Sequence, residues 1–131
     1  MNVVVDASAA VEYLLRTPLG LRISTTLEAS DLYAPELMDA EVLAVLRRLV
    51  LAGRLSEPRA REALEDLGSW SVERLSHRFL LINAWTRREN VSAYDALYVA
   101  AATAVGGSLL TADGPLSRAP KLGVTVHNVR E

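Results

Sequence analysis

The chain has 131 residues, a formal net charge of −2 and no cysteine. This length fits one domain with a buried core, and a hydrophobic content of 50% excludes a disordered chain. The lack of cysteine excludes a disulfide scaffold, a thiolate metal site and a cysteine nucleophile. No apolar run reaches the ~18 residues that a membrane span needs, and no basic region precedes the short apolar start. We therefore expect a cytoplasmic protein without a membrane segment or signal peptide.

Strand and helix signals alternate along the chain. Strands are predicted at residues 3–5, 31–34, within 70–75, 108–111 and 124–126. Helices are predicted at residues 8–15, 19–29, 36–52, 56–68, 79–88 and 92 to about 104. A loop with two prolines is predicted at residues 112–123. This alternation predicts one α/β domain over residues 1–131, built on a parallel sheet with right-handed crossovers.

The first predicted strand is a run of three β-branched residues, Val3, Val4 and Val5, without polar alternation. Such a run is typical of a central strand of a parallel sheet, covered on both faces. Asp6 follows at the point where this strand leaves the sheet. Because ligand sites in open α/β sheets lie outside the carboxyl ends of the strands, Asp6 is a site candidate. An N-cap or turn role at the strand–helix junction is the alternative.

Two further aspartates show the same ambiguity. Asp113 follows the strand at residues 108–111, but Asp113-Gly114-Pro115 is also strong turn chemistry. Asp95 lies in a predicted helix without a basic residue three or four positions away. Ser92-x-x-Asp95 also fits a helix capping box. Each aspartate is therefore either a site residue or a local structural residue.

Glu41 lies on the apolar face of the longest predicted helix. Its neighbours three and four positions away on that face include Leu37, Met38 and Val45. No arginine or lysine stands at these spacings, and an acid beside a buried stripe is costly unless something neutralises its charge. Glu12 is a weaker fifth candidate, because Arg16 four residues later offers a surface partner.

The same long helix carries apolar residues on more than one face. Leu43 and Val50 lie roughly opposite Met38 and Leu49 by the helical period. The second apolar face is expected to be buried within the domain, and an interface with another chain is the alternative.

Four carboxylates that converge without basic partners would repel one another and raise each other's pKa. A divalent cation removes this repulsion. Oxygen ligands without cysteine, and with only two distant histidines, favour Mg²⁺ or Mn²⁺ over zinc. Acid-only clusters of this kind typically serve phosphoryl transfer by activating and orienting a water molecule.

Four stretches of the chain resemble PIN domains and, among them, the VapC-type toxins of bacterial toxin–antitoxin pairs. These stretches are Val4 to Ser8, Tyr33 to Val42, Ser92 to Tyr98 and Leu109 to Asp113. They occur in the family's order, and the resemblance covers essentially the whole chain. Residues 59–89 carry no motif that matches the family.

The resemblance implies a three-layer α/β/α fold with a central parallel sheet of about five strands. It also implies a metal-dependent ribonuclease whose product carries a 5′-phosphate. The residues that it assigns to the Mg²⁺ or Mn²⁺ site are Asp6, Glu41, Asp95 and Asp113. The hydroxyls of Ser8 and Thr111 would line that site. The implied assembly is a homodimer held inactive by a cognate antitoxin.

Two other readings of the chain stay open. One is a housekeeping PIN-type enzyme that processes RNA or DNA without an antitoxin. The other is a nonenzymatic α/β binding module in which the acids serve only as caps and turns. Metal binding separates this module from a nuclease, because scattered caps would not bind Mn²⁺. A receiver domain is disfavoured because residues 2–5 contain no acid, and an Asp-x-Asp phosphatase because position 8 is Ser8.

Overall fold

A five-stranded parallel sheet forms the centre of the computed structural model, which describes residues 1–119 and 122–130. The strand order is β3-β2-β1-β4-β5. The strands are β1 (Asn2–Val5), β2 (Asp31–Pro35), β3 (Val72–Leu75), β4 (Ser108–Thr111) and β5 (Val126–Asn128). The predicted parallel α/β sheet is thus confirmed, including the short strand within residues 70–75.

Seven helices and one 3₁₀ turn surround the sheet in the described residues. The helices are α1 (Ala7–Leu14), α2 (Pro18–Glu28), α3 (Leu37–Leu51), α4 (Glu57–Ser69), α5 (Leu81–Trp85), α6 (Ala93–Val105) and α7 (Gly114–Ser117). Helices α1 to α4 pack with one another, α5 packs with α6, and both groups contact the sheet, which gives three layers. None of these helices is both long enough and apolar enough to cross a bilayer.

The central strand is β1, as its apolar run predicts. Val4 and Val5 are fully buried, since helices cover both faces of the sheet. Val4 pairs with Tyr33 of β2 on one side and with Leu109 of β4 on the other. The end of β1 therefore lies in the middle of the carboxyl edge of the sheet. Asp6, which follows β1, is placed between the ends of β2 and β4.

The predictions for the last part of the chain were partly wrong. The final strand lies at Val126–Asn128 instead of residues 124–126, because pairing with β4 sets the register of an edge strand more strongly than its own composition does. The predicted loop at residues 112–123 contains the short helix α7. Residues 120 and 121 of that loop lie outside the described residues.

The helix predicted at residues 79–88 is also shorter than expected. A 3₁₀ turn at His77–Phe79 precedes α5, which ends at Trp85. The Thr86 hydroxyl donates to the carbonyl of Asn83 at 2.6 Å, so that a side chain competes for the backbone acceptors at the helix end. This region exposes large apolar side chains, which we call the α5 patch: Phe79 (84% exposed), Leu81 (55%), Ile82 (80%) and Trp85 (64%).

The second apolar face of α3 is not fully buried. Leu43 is 53% exposed, so the expectation that the domain core covers it was wrong. Helices α3 and α4 form an open cavity of about 490 Å³, which we call the α3–α4 groove. Its apolar lining residues are Leu43, Leu46, Val50, Leu51, Ala60 and Leu64. The alternative that the sequence left for this face, an interface with another chain, therefore stays open.

A close approach between α1 and α2 generates the first prediction. A Cβ atom at Gly20 would lie 1.9 Å from the carbonyl oxygen of Glu12, so Gly20→Ala must push the two helices apart. We expect Gly20→Ala to lower the free energy of unfolding by about 2 kcal/mol or more in urea titrations. The matched control is Gly68→Ala near the end of α4, where a Cβ meets nothing within 4 Å. This control should raise stability by about 0.5 kcal/mol, and equal effects of the two changes would contradict the packing argument.

Candidate functional site

Asp6 occupies the carboxyl end of β1 and is only 5% exposed. Its Oδ1 accepts hydrogen bonds from the backbone N–H of Ala9 at 3.0 Å and from the Ser8 hydroxyl at 2.6 Å. Its Oδ2 accepts a hydrogen bond from the Thr111 hydroxyl. Asp6 is thus the N-cap of α1, as one reading of the sequence predicted. Both carboxylate oxygens are held in place.

The hydroxyls of Ser8 and Thr111 are themselves oriented by the segment that follows β4. The N–H of Ala112 donates to Ser8 Oγ at 2.8 Å, and the N–H of Asp113 donates to Thr111 Oγ1 at 2.8 Å. Each hydroxyl thereby accepts from the backbone and donates its single proton to Asp6. Both hydroxyls that were predicted to line the site therefore contact Asp6, and Thr111 is fully buried. The network fastens the end of β4 to the end of β1.

Asp95 and Asp113 are also located at helix starts. The Ser92 hydroxyl caps α6 by accepting the N–H of Asp95 at 3.2 Å. Asp113 is the N-cap of α7, and its Oδ1 accepts the N–H of Leu116 at 3.5 Å. The turn role considered for Asp113 therefore exists, and of the capping box considered for Asp95 the Ser92 half is formed. These roles leave both carboxylates facing a common cavity.

Glu41 is half-buried on α3 and faces the same cavity. Its Oε1 accepts a hydrogen bond from the Tyr98 hydroxyl at 2.6 Å. Tyr98 is 2% exposed and lies three residues after Asp95 on α6. Tyr98 is not among the residues predicted to form the site, although a residue three positions from a candidate acid shares its face of the helix.

One cavity of about 480 Å³ gathers all four predicted acids. The polar and aromatic residues that line it are Asp6, Ser8, Glu41, Arg48, Tyr94, Asp95, Tyr98 and Asp113. Among the residues that the structure describes, none of the four carboxylates has a basic group within 4 Å. Arg48, two helical turns after Glu41, supplies the positive charge on the cavity wall. This cavity lies where the crevice rule for parallel sheets places a ligand.

Burial and like charge raise pKa values in this cavity. Burial raises the pKa of Asp6 from 3.8 to about 6, its three hydrogen bonds oppose the rise, and the charge of Asp113 adds to it. Burial, followed by the charges of Asp113 and Glu41, also raises the pKa of Asp95. Burial and the adjacent Glu41 carboxylate raise the pKa of Tyr98, so that its hydroxyl remains a donor. The cavity therefore favours species that bring positive charge.

The four carboxylates line one cavity without meeting at one point. Within residues 1–119 and 122–130, no three acidic or histidine side chains form a ready-made metal-ligand group. Like charges in a shared pocket repel one another, which favours rotamers that keep the carboxylates apart. The backbone thus brings the four acids to one cavity. The side-chain torsions then determine how close the four carboxylates come to one another.

Glu12 does not belong to this group. It does not line the cavity, and its Oε1 pairs with Arg130 at 3.0 Å instead of with the predicted partner Arg16. Its Oε2 accepts the Thr17 hydroxyl at 2.5 Å. The helix C-cap at Leu15 places Arg16 beyond α1 with a positive φ of 55°, which breaks the helical spacing that the prediction assumed.

Residues 59–89, which carry no family motif, hold the helix that carries Glu41. Arg74 on β3 donates to both oxygens of Asp39 at 3.0 and 3.2 Å. His77 Nε2 accepts the N–H of Leu37 at 2.9 Å, at the start of α3, where Glu36 forms no side-chain cap. No sequence signal predicted these contacts, because in each contact the two residues lie more than 30 positions apart in the chain.

Comparisons with known proteins agree with this architecture. The model of the PIN domain family matches residues 3–122. Ribonuclease VapC1 of Mycobacterium tuberculosis is 43% identical over 129 residues, which cover 97% of each chain. The crystal structure of PAE2754 from Pyrobaculum aerophilum has a TM-score of 0.70 and 23% identity, covering 98% of this chain and 84% of that chain.

The crystal structure of VapBC2 from Rickettsia felis bound to a DNA fragment from their promoter has a TM-score of 0.66 and 13% identity. The match covers 97% of this chain and 98% of that chain. At 23% and 13% identity, the two solved structures show only that the fold is shared. The family model and the 43% identical relative show common family membership. The chain therefore belongs to the PIN domain family and, within it, to the VapC proteins.

Proposed function

We propose that this chain is a metal-dependent endoribonuclease that acts as the toxin of a toxin–antitoxin pair. The observation that carries the proposal is the cavity at the carboxyl edge of the sheet, lined by four carboxylates without a basic partner within 4 Å in the described residues. The name of the relative from Mycobacterium tuberculosis, a ribonuclease, supports the same activity.

The donor set of this cavity fits Mg²⁺ or Mn²⁺. The residues that would hold the cation are Asp6, Glu41, Asp95 and Asp113. Carboxylate oxygens are the ligands that these hard cations prefer, and positive charge among them would offset the burial and the like charge that raise the pKa values of Asp6 and Asp95. A bound divalent cation supplies charge neutralisation at the phosphate and lowers the pKa of a coordinated water.

The protein's own residues would position the reaction. Asp6 is held rigidly by Ser8 and Thr111, so it would keep one geometry as substrate arrives. Arg48 is exposed on the cavity wall and has no carboxylate within 4 Å in the described residues, which leaves its guanidinium available for an RNA phosphate. Hydrolysis would join a water oxygen to phosphorus and release the 3′-oxygen as a hydroxyl, leaving a 5′-phosphate.

The two exposed apolar surfaces suit two different partners. We propose that the α5 patch packs against a second copy of the chain, because it exposes Phe79 and Ile82 by more than three quarters and the net charge of −2 opposes self-association only weakly. The α3–α4 groove would accept an amphipathic segment of the antitoxin, as grooves between helices commonly do. The name of the relative from Rickettsia felis, a VapBC complex, fits a partner protein.

The activity is tested by cleavage of a mixed pool of single-stranded RNA with Mg²⁺, Mn²⁺ or EDTA. We expect cleavage that requires the cation and falls by about 100-fold or more in Asp6→Asn, since even outer partners of metal ligands typically contribute 10- to 100-fold. The matched control is Asp31→Asn, an exposed aspartate at the start of β2 and hence at the opposite edge of the sheet. Products should carry 5′-phosphates.

Three results would contradict this proposal. Cleavage that persists in EDTA, or that Asp6→Asn leaves intact, would remove the chemistry from the acidic cavity. Products ending in 2′,3′-cyclic phosphates would exclude attack by water on the phosphodiester. A folded protein that neither cleaves RNA nor binds Mn²⁺ would favour the nonenzymatic binding module.

The buried charge of Asp6 generates a pH prediction for the protein in EDTA. The folded-state pKa of about 6 lies above the unfolded value of 3.8, so the folded state binds more protons between these values. Stability from this group is therefore full well below the unfolded pKa of 3.8 and is lost as the pH rises through 6. Because each pKa unit is worth about 1.4 kcal/mol, wild type should lose about 3 kcal/mol relative to Asp6→Asn between pH 3 and 7.

Urea unfolding of both proteins across this pH range measures the effect, and saturating Mn²⁺ should restore most of the lost stability at pH 7. Parallel curves for wild type and Asp6→Asn would show that Asp6 carries no raised pKa.

The dimer is tested by light scattering after gel filtration. Ile82 is 80% exposed, so Ile82→Asp should leave the fold intact while a charge in the α5 patch disrupts an apolar interface. We expect the mass of the variant to be half that of wild type at micromolar concentration. Leu43→Asp, in the α3–α4 groove, is the matched control and should retain the dimer mass. A wild type of monomer mass would refute the interface.

A further inference from the structure

Tyr98 buries a hydroxyl that donates to Glu41 and also meets the backbone N–H of Ala7 at the start of α1. The side chain is 2% exposed within the core, and its oxygen lies 2.6 Å from Glu41 Oε1. A buried hydroxyl is costly unless it is hydrogen-bonded, and phenylalanine could fill the same apolar space without that cost. The presence of a hydroxyl at this place therefore calls for a role beyond packing.

Glu41 depends on a distant partner, whereas two other acids of the cavity are bonded within their own chain segment. The Asp6 carboxylate accepts from Ala9 and Ser8 as well as from Thr111, and the Asp113 carboxylate caps α7. Glu41 is also the single glutamate of the four and has one more side-chain torsion than an aspartate, so its carboxylate has more freedom. Within the described residues, the bond from Tyr98 is the hydrogen bond that its carboxylate accepts.

The position of Tyr98 couples two parts of the cavity. Tyr98 and Asp95 lie three residues apart on α6, whereas Glu41 belongs to α3. The hydrogen bond therefore ties the Glu41 carboxylate on α3 to α6, the helix that also carries Asp95. Because it engages Oε1, it leaves Oε2 of Glu41 without a recorded hydrogen bond in the described residues and thus available to a cation.

We propose that Tyr98 is a positioning residue that acts through Glu41, holding the Glu41 carboxylate in the rotamer that completes the cation site. The inference rests on the proposed function, since it concerns the same cavity. A buried side chain outside the metal ligands would then set the affinity for the cation.

The test is Mn²⁺ binding to Tyr98→Phe, measured by calorimetry on the full chain and accompanied by RNA cleavage. Loss of an outer hydrogen bond should weaken Mn²⁺ affinity about tenfold, as is usual for partners that orient a metal ligand. The thermal midpoint in EDTA should stay within a few degrees of wild type. Cleavage at limiting Mn²⁺ should fall, and raising the Mn²⁺ concentration should rescue it.

The matched control is Tyr94→Phe. Tyr94 lies on the same helix and lines the same cavity, but its hydroxyl has no hydrogen bond recorded in the described residues. This variant removes the same atom from the same kind of residue, and its Mn²⁺ affinity should equal that of wild type. Equal losses in the two variants would overturn the inference, because a tyrosine hydroxyl anywhere in the cavity would then have the same effect.

A double-mutant cycle separates an effect through Glu41 from a general one. In a Glu41→Ala background, Tyr98→Phe should leave the remaining Mn²⁺ affinity unchanged. A tenfold loss that persists in that background would overturn the inference. If wild type binds Mn²⁺ and Tyr98→Phe binds it equally well, the role of Tyr98 is overturned and the metal site stands. If wild type binds no Mn²⁺, the metal site and the role of Tyr98 are overturned together.

Discussion

The burial of one carboxylate, Asp6, is the constraint on which the site depends. Removing its charge from water is unfavourable, and its three hydrogen bonds offset only part of that cost, as the pKa of about 6 shows. The donors come from α1 and from the end of β4, so β1 and its neighbour β4 must end side by side. The shape of the carboxyl edge therefore follows from satisfying Asp6.

In this fold the same aspartate can cap a helix and line the cavity. In a parallel sheet, each strand end is followed by a helix start, and aspartate is favoured there because it accepts the free N–H groups. Asp6 and Asp113 cap α1 and α7, and both line the cavity. The capping preference thus assembles acids at one edge, where a second function can use them.

The sequence predicted those parts of the structure that local chemistry determines. The run Val3 to Val5 and the four acids of the cavity follow from periodicity, strand ends and missing local partners. The position of β5, the early end of α5 and the pairing of Glu12 with Arg130 did not follow, because each depends on a partner distant in the chain. The bond from Tyr98 to Glu41 belongs to this second class, being formed across 57 positions.

The same distinction explains why a segment without a motif contributes to the site. Glu41 can face the cavity only if α3 starts at the correct place, and the contacts of Arg74 with Asp39 and of His77 with the N–H of Leu37 fix that start. Tyr98 then fixes the side chain itself. Backbone placement and side-chain orientation of this one acid therefore come from different elements. A change in residues 59–89 could alter the cavity without touching any residue that lines it.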